Sequence, residues 1–234
     1  MSDAKVAVIT AGGGGMGAAV ARELHQCGYE VALMSRSEAA EELALELGGL
    51  GVRGSVTDAQ ALEALVSQTL DRYGRIDAVV NHTAHPPKGE LLDISDEQWR
   101  EGFDMLILNV VRMSRLVTPA MLRGGGGAIV NITTFAALEP ELALPVSCTL
   151  RAGLASFAKL YADRYAAEGI RMNNLLPGYI DSLNHTEETR SKIPMQRIGT
   201  TTEVAKTAAF LLSKGAGYIT GQNIIVDGGV TRHV

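Results

Sequence analysis

Residues 10–17 read T-A-G-G-G-G-M-G and follow directly on the short apolar run V-A-V-I at 6–9. An Ala/Val/Leu-rich segment, 18–27, comes next. This order reads as strand, glycine turn and helix, the opening of a βαβ unit. Where side chains are missing from the turn, backbone amides and a helix N-terminus are free to face a pyrophosphate. A dinucleotide site is the expectation; four consecutive glycines also fit a plain flexible loop.

Outward from that turn, apolar runs alternate with helix-period segments. Residues 30–34 precede 38–47, 50–52 precede 58–73, and 76–80 precede 95–122. The alternation continues through 128–132, 146–167, 170–175 and 202–213 to a last strand at 223–226. A parallel sheet with crossover helices requires this pattern, so the expected fold is a doubly wound α/β (Rossmann-type) sheet of about seven strands with helices on both faces. Ser95 ahead of Glu97 and Gln98 reads as a helix start. The second glycine run, 124–127, follows a helix and precedes a strand, so it reads as a turn.

At 234 residues, 46% apolar and 5% aromatic, the chain is expected to form one domain over 1–234. The net charge of −5 and the lack of a basic run argue against nucleic acid as a partner and for small molecules. Cys27 and Cys148 are too few for a disulfide framework, and no apolar leader precedes the glycine turn, so a reducing cytoplasmic address is expected. No apolar stretch is read as membrane-spanning, and no metal site is expected.

Across essentially its whole length the chain resembles the short-chain dehydrogenase/reductase family. Thr10–Gly17 fits the family's T-G-x-x-x-G-x-G with Ala11 at the first glycine, and Asn81-His82-Thr83-Ala84 stands where N-N-A-G is usual. Asn109 falls at the helix asparagine, N-N-L-L-P-G-Y-I at 173–180 matches the P-G segment, and G-Q-N-I-I-V-D-G-G at 221–229 matches the last strand. The resemblance implies that Ala11, Gly14, Gly15 and Met16 hold the dinucleotide, with Ser55 and Val56 against the adenine. It frames the nicotinamide with Asn81, Thr83, Pro177, Gly178 and Ile180, makes residues 182–195 a short polar substrate lid, and implies a homotetramer or dimer. At the end of the second strand, where an acidic residue would accept from a ribose and exclude a 2′-phosphate, the pair is Ser35-Arg36. A guanidinium without a carboxylate favours NADP(H) over NAD(H).

The reacting residues depart from the family, which uses a serine, a tyrosine and a lysine. Aligning Arg151-Ala152-Gly153-Leu154 with the family's Lys-Ala-Gly-Leu puts Thr134, Ser147 and Arg151 at those positions, beside Asn109. A serine hydroxyl donates a hydrogen bond but does not titrate in the useful range, whereas arginine keeps the charge one helical turn away. Three readings follow. The first is an NADP(H)-dependent oxidoreductase on a small carbonyl or alcohol, with the proton from water, His82, His85 or Tyr179. The second is a nucleotide-binding sensor or inactive partner subunit. The third is a lyase or dehalogenase, since the halohydrin dehalogenases resemble this family and carry an arginine at the lysine position; those enzymes keep the tyrosine and lack the glycine turn, the reverse of this chain.

Overall fold

A computed structural model describes residues 4–232. Seven strands, β1 (Lys5–Thr10), β2 (Tyr29–Ser35), β3 (Leu50–Arg53), β4 (Ala78–Asn81), β5 (Gly127–Ile132), β6 (Ile170–Pro177) and β7 (Asn223–Val226), pair in the order β3-β2-β1-β4-β5-β6-β7. Every pairing is parallel. The helices are α1 (Gly15–Gln26), α2 (Ala39–Glu46), α3 (Ala59–Tyr73), α4 (Asp96–Phe103), α5 (Asn109–Arg123), α6 (Pro145–Tyr165), α7 (Glu187–Ser191) and α8 (Thr201–Leu212).

Strand period separates two apolar layers. Ala7 and Ile9 of β1 point to the layer under α1, α2 and α8, while Val8 joins Met113, Val117 and Tyr161 under α5 and α6 on the other face. Strand order reverses between β1 and β4, and a crevice opens at that switch point beyond the carboxyl ends of the strands.

Two expectations need correction. The segment 95–122 reads as a single regular helix, but α4 and α5 are joined by a π-helical turn at Asp104–Leu108. One wide turn adds a residue without breaking the apolar stripe, so periodicity does not reveal it. The turn delivers Asn109 buried at the first position of α5. Ser95 closes a capping box with Gln98, as the sequence suggests. The continuous 28-residue run Asp96–Arg123 also corrects the reading that no stretch is of membrane-spanning length: its most apolar window has mean hydropathy 1.3. Half of that window is buried against the rest of the fold.

The glycine turn at 124–127 joins α5 to β5. Gly125 (φ 79°) and Gly126 (φ 133°) lie in the left-handed region, and a Cβ on Gly126 would fall 2.6 Å from the Gly169 carbonyl oxygen.

Candidate active site

Two cavities adjoin at the carboxyl ends of β1, β2, β4, β5 and β6. The first, about 770 Å³, is lined by Ala11, Gly13, Gly14, Ser35, Arg36, Ser55, Val56 and Thr83. The second, about 370 Å³, is lined by Gly15, Met16, Thr83, Thr134, Ser147, Arg151, Pro177, Gly178 and Ile180. His82, Thr83 and Ala84 border both, so one cleft runs from Arg36 to Arg151.

The nucleotide-sized end is shaped by backbone. A Cβ on Gly17 would come 2.2 Å from the Ala11 carbonyl oxygen, and one on Gly13 would come 2.8 Å from the Ala40 nitrogen. A Cβ on Gly14 meets nothing within 4 Å, because that residue borders the open cavity. The turn is pinned to the loop after β4 by Thr10, whose Oγ1 donates to the His82 carbonyl (2.8 Å) and accepts from the His82 amide (2.9 Å). Ser35 Oγ accepts from the Ala40 amide and donates to the Ser37 carbonyl, which fixes the loop that presents Arg36. Arg36 is exposed, with no ion-pair partner among the described residues. These features fit a nicotinamide dinucleotide: a side-chain-free cradle for a pyrophosphate and an unpaired guanidinium at the ribose end.

At the other end, α6 carries Ser147 and Arg151 one turn apart, both buried. Arg151 Nε donates to Ser147 Oγ (3.2 Å) and Nη1 to the Ile132 carbonyl (3.1 Å). Burial without an acidic neighbour pulls the guanidinium down to about 10. Thr134 begins the short helical turn Phe135–Ala137, and its Oγ1 accepts from the Ala136 amide (3.4 Å). Cys148 turns away from the cavity, with its thiol against the backbone of Glu141. Tyr161 bonds Thr118 at 2.6 Å, inside the fold.

The histidines and Tyr179 differ in their fitness as acids. His82 Nδ1 is enclosed without a partner, and burial first, then Arg151, pushes the ring down to about 4, so it is neutral at pH 7. His85, at the rim, is lowered by burial and then by Lys88 and Arg151. The Tyr179 hydroxyl donates to Glu141 Oε1 (3.2 Å), and burial and that carboxylate raise its pKa. His185 packs edge-on against Tyr179 with ring centres 5.5 Å apart.

Asn81 and Asn109 stand behind the cleft. Asn81, Asn131, Asn174 and Asn223 hold matching positions on β4, β5, β6 and β7, and each amide donates to the next at 2.8–2.9 Å. Asn81 Oδ1 ends this ladder without a partner, as Asn109 Oδ1 is without one, and both residues border a small space of about 10 Å³ with His82 and Arg151. The Asn81 side chain is thus held in the sheet and does not border either larger cavity. Sequence reading missed Glu141 and the ladder. An asparagine recurring after apolar strand residues in V-V-N, I-V-N and M-N-N was the available signal for the ladder; Glu141 lies in a loop with no pattern.

Residues 11–231 match the family model described as enoyl-(acyl carrier protein) reductase. Dehydrogenase/reductase SDR family member 4 of Oryctolagus cuniculus is 34% identical, covering 96% of this chain and 93% of its own. The chain belongs to the short-chain dehydrogenase/reductase family. Among other members, a 3-oxoacyl-[acyl-carrier-protein] reductase FabG of Staphylococcus aureus is 30% identical over 98% of this chain and 99% of its own. The solved L-sorbose reductase of Gluconobacter frateurii, complexed with NADPH and L-sorbose, superposes with a TM-score of 0.92 at 27% identity, covering 99% of this chain and 98% of that one. As a short-chain dehydrogenase/reductase the chain is an oxidoreductase by family, and its parallel sheet is the one its relatives share.

Proposed function

We propose that this short-chain dehydrogenase/reductase is an NADP(H)-dependent oxidoreductase that interconverts a small carbonyl compound and its alcohol, with Thr134, Ser147 and Arg151 in place of the usual proton-transferring set. The observation that carries the reading is the Arg151–Ser147 contact on the wall of the cavity that continues from the glycine turn. Ala11, Gly14, Gly15 and Met16 would hold the dinucleotide, with Ser35 and Arg36 at the 2′-phosphate, Ser55 and Val56 at the adenine and Thr83, Pro177, Gly178 and Ile180 at the nicotinamide. NADPH supplies the hydride; one proton must reach the carbonyl oxygen to leave an alcohol and NADP⁺.

Ser147 Oγ accepts from Arg151, which leaves its own proton free to donate, and Thr134 Oγ1 accepts from an amide and donates likewise. Two hydroxyls therefore orient the oxygen, and the Arg151 charge offsets the negative charge that develops there. Neither hydroxyl titrates usefully, so the proton comes from water through the cavity rim at His85. His82 is set aside as neutral, with its Nδ1 enclosed, and Tyr179 as already committed to Glu141. Residues 182–195 contribute Ser182, Leu183 and His185 to the cavity wall, consistent with a lid over a small substrate.

The lack of a titrating group on the cavity floor also favours a second reading, a nucleotide sensor without turnover. Nicotinamide absorbance, followed with NADPH and a panel of small ketones, aldehydes and sugars, separates the two. The oxidoreductase reading expects NADPH oxidation by the native chain. It is overturned if the native chain is silent while the double variant Ser147→Tyr, Arg151→Lys turns over the same panel. A homotetramer or dimer is expected in light scattering, on family resemblance.

A further inference from the structure

We infer that the substrate itself carries the counter-charge for Arg151: a small carboxylate-bearing carbonyl compound, a 2-oxo or 3-oxo acid or the matching hydroxy acid, whose carboxylate seats on the Arg151 guanidinium beside the carbonyl oxygen that Thr134 and Ser147 orient. This substrate class rests on the oxidoreductase reading above.

Arg151 is 7% exposed, and none of the ion pairs among the described residues includes it. A buried charge without a partner is costly, and proteins commonly meet that cost with an opposite charge. Here the chain supplies only neutral groups. Two guanidinium N–H groups go to Ser147 Oγ and the Ile132 carbonyl, no other acceptor among the described residues bonds the side chain, and it borders both the 370 Å³ cavity and the small space beside Asn81 and Asn109. Planar N–H donors of this kind match a carboxylate better than a single carbonyl oxygen.

The other charged groups on the cavity wall do not supply the missing anion. Lys88 adds positive charge, and His85 and His185 are bases. Glu141 is the one carboxylate lining this cavity, and it is occupied: it accepts the Tyr179 hydroxyl, and Lys192 is close enough to feel its charge. His82, which borders the small space beside Arg151, is neutral. Space is available as well, because a serine side chain leaves the floor open beside the guanidinium. A carboxylate there lies against Thr134 and Ser147, next to the oxygen that those hydroxyls orient.

The test is calorimetry on the nucleotide-free full chain with acetoacetate and pyruvate, each against its methyl ester. The acids are expected to bind about tenfold or more tightly than the esters. Arg151→Met should bring the ratio to about one with an unchanged or raised melting temperature, whereas Arg151→Lys should keep most of it. Ser147→Tyr, which fills the space, should abolish acid binding while leaving the charge in place. Equal binding of acid and ester overturns the inference. So does a preference that survives Arg151→Met and disappears in Lys88→Met, which would place the anion at the rim. Acid preference without any NADPH oxidation sinks the redox reading and leaves the anion site; turnover of neutral ketones without acid preference does the reverse.

Discussion

At the β1–α1 end of the cleft, Ala11, Gly13, Gly14, Ser35, Ala39, Gly54 and Ser55 leave much of the cavity wall to backbone and small side chains. At the β5–α6 end it is Thr134, Ser147 and Arg151, three side chains whose identity is the chemistry. By the family resemblance the first end keeps most of the glycine pattern, with Ala11 at its first glycine, while the second carries other residues at all three positions of the proton-transferring set. The glycine cradle has few substitutes at Gly13 and Gly17, where a Cβ would fall 2.8 Å and 2.2 Å from fixed backbone. A hydrogen-bonding floor has several, since hydroxyls and cations of different length fill the same role.

The sharpest contrast lies within the turn. Gly17→Ala puts a methyl group 2.2 Å from the Ala11 carbonyl oxygen and should cost roughly 3 kcal/mol in chemical denaturation, with NADPH binding lost. Gly14→Ala, facing open space, should leave the denaturation midpoint unchanged. Equal costs would mean the turn is not held as described.

His82 tests the junction between the two ends. Its folded pKa of about 4 lies below the unfolded value near 6.5, so the unfolded state binds the proton first. Its share of stability is complete above pH 6.5, falls as the pH drops from 6.5 to 4, and levels off below that, a loss of about 3 kcal/mol. His82→Asn, which restores the residue usual in the family, should flatten urea-denaturation stability across that window; an unchanged slope would assign the acid sensitivity elsewhere. The smallest effect belongs to the ribose end. Arg36→Ala should weaken NADPH about tenfold in fluorescence titration and leave NADH unchanged.

Fold and nucleotide end were legible because they rest on period and backbone. Apolar runs at 6–9, 30–34, 128–132 and 170–175 each became a strand, and T-A-G-G-G-G-M-G became the turn before α1. The family resemblance pointed to Thr134, Ser147 and Arg151, which border one cavity. Two things were not. The π turn at Asp104–Leu108 leaves the hydrophobic stripe intact, so nothing in the periodicity marks it. The Tyr179–Glu141 contact joins residues 38 apart in sequence through a loop, and only tertiary structure brings them together.

On the proposed function, the glycine-turn end selects NADP(H) beside a reacting end built from Thr134, Ser147 and Arg151. Isothermal titration of the native chain with NADPH and NADH tests it most directly. The account predicts a saturable 1:1 isotherm for NADPH, about tenfold tighter than for NADH. Tighter binding of NADH, or no binding of either nucleotide, would contradict it.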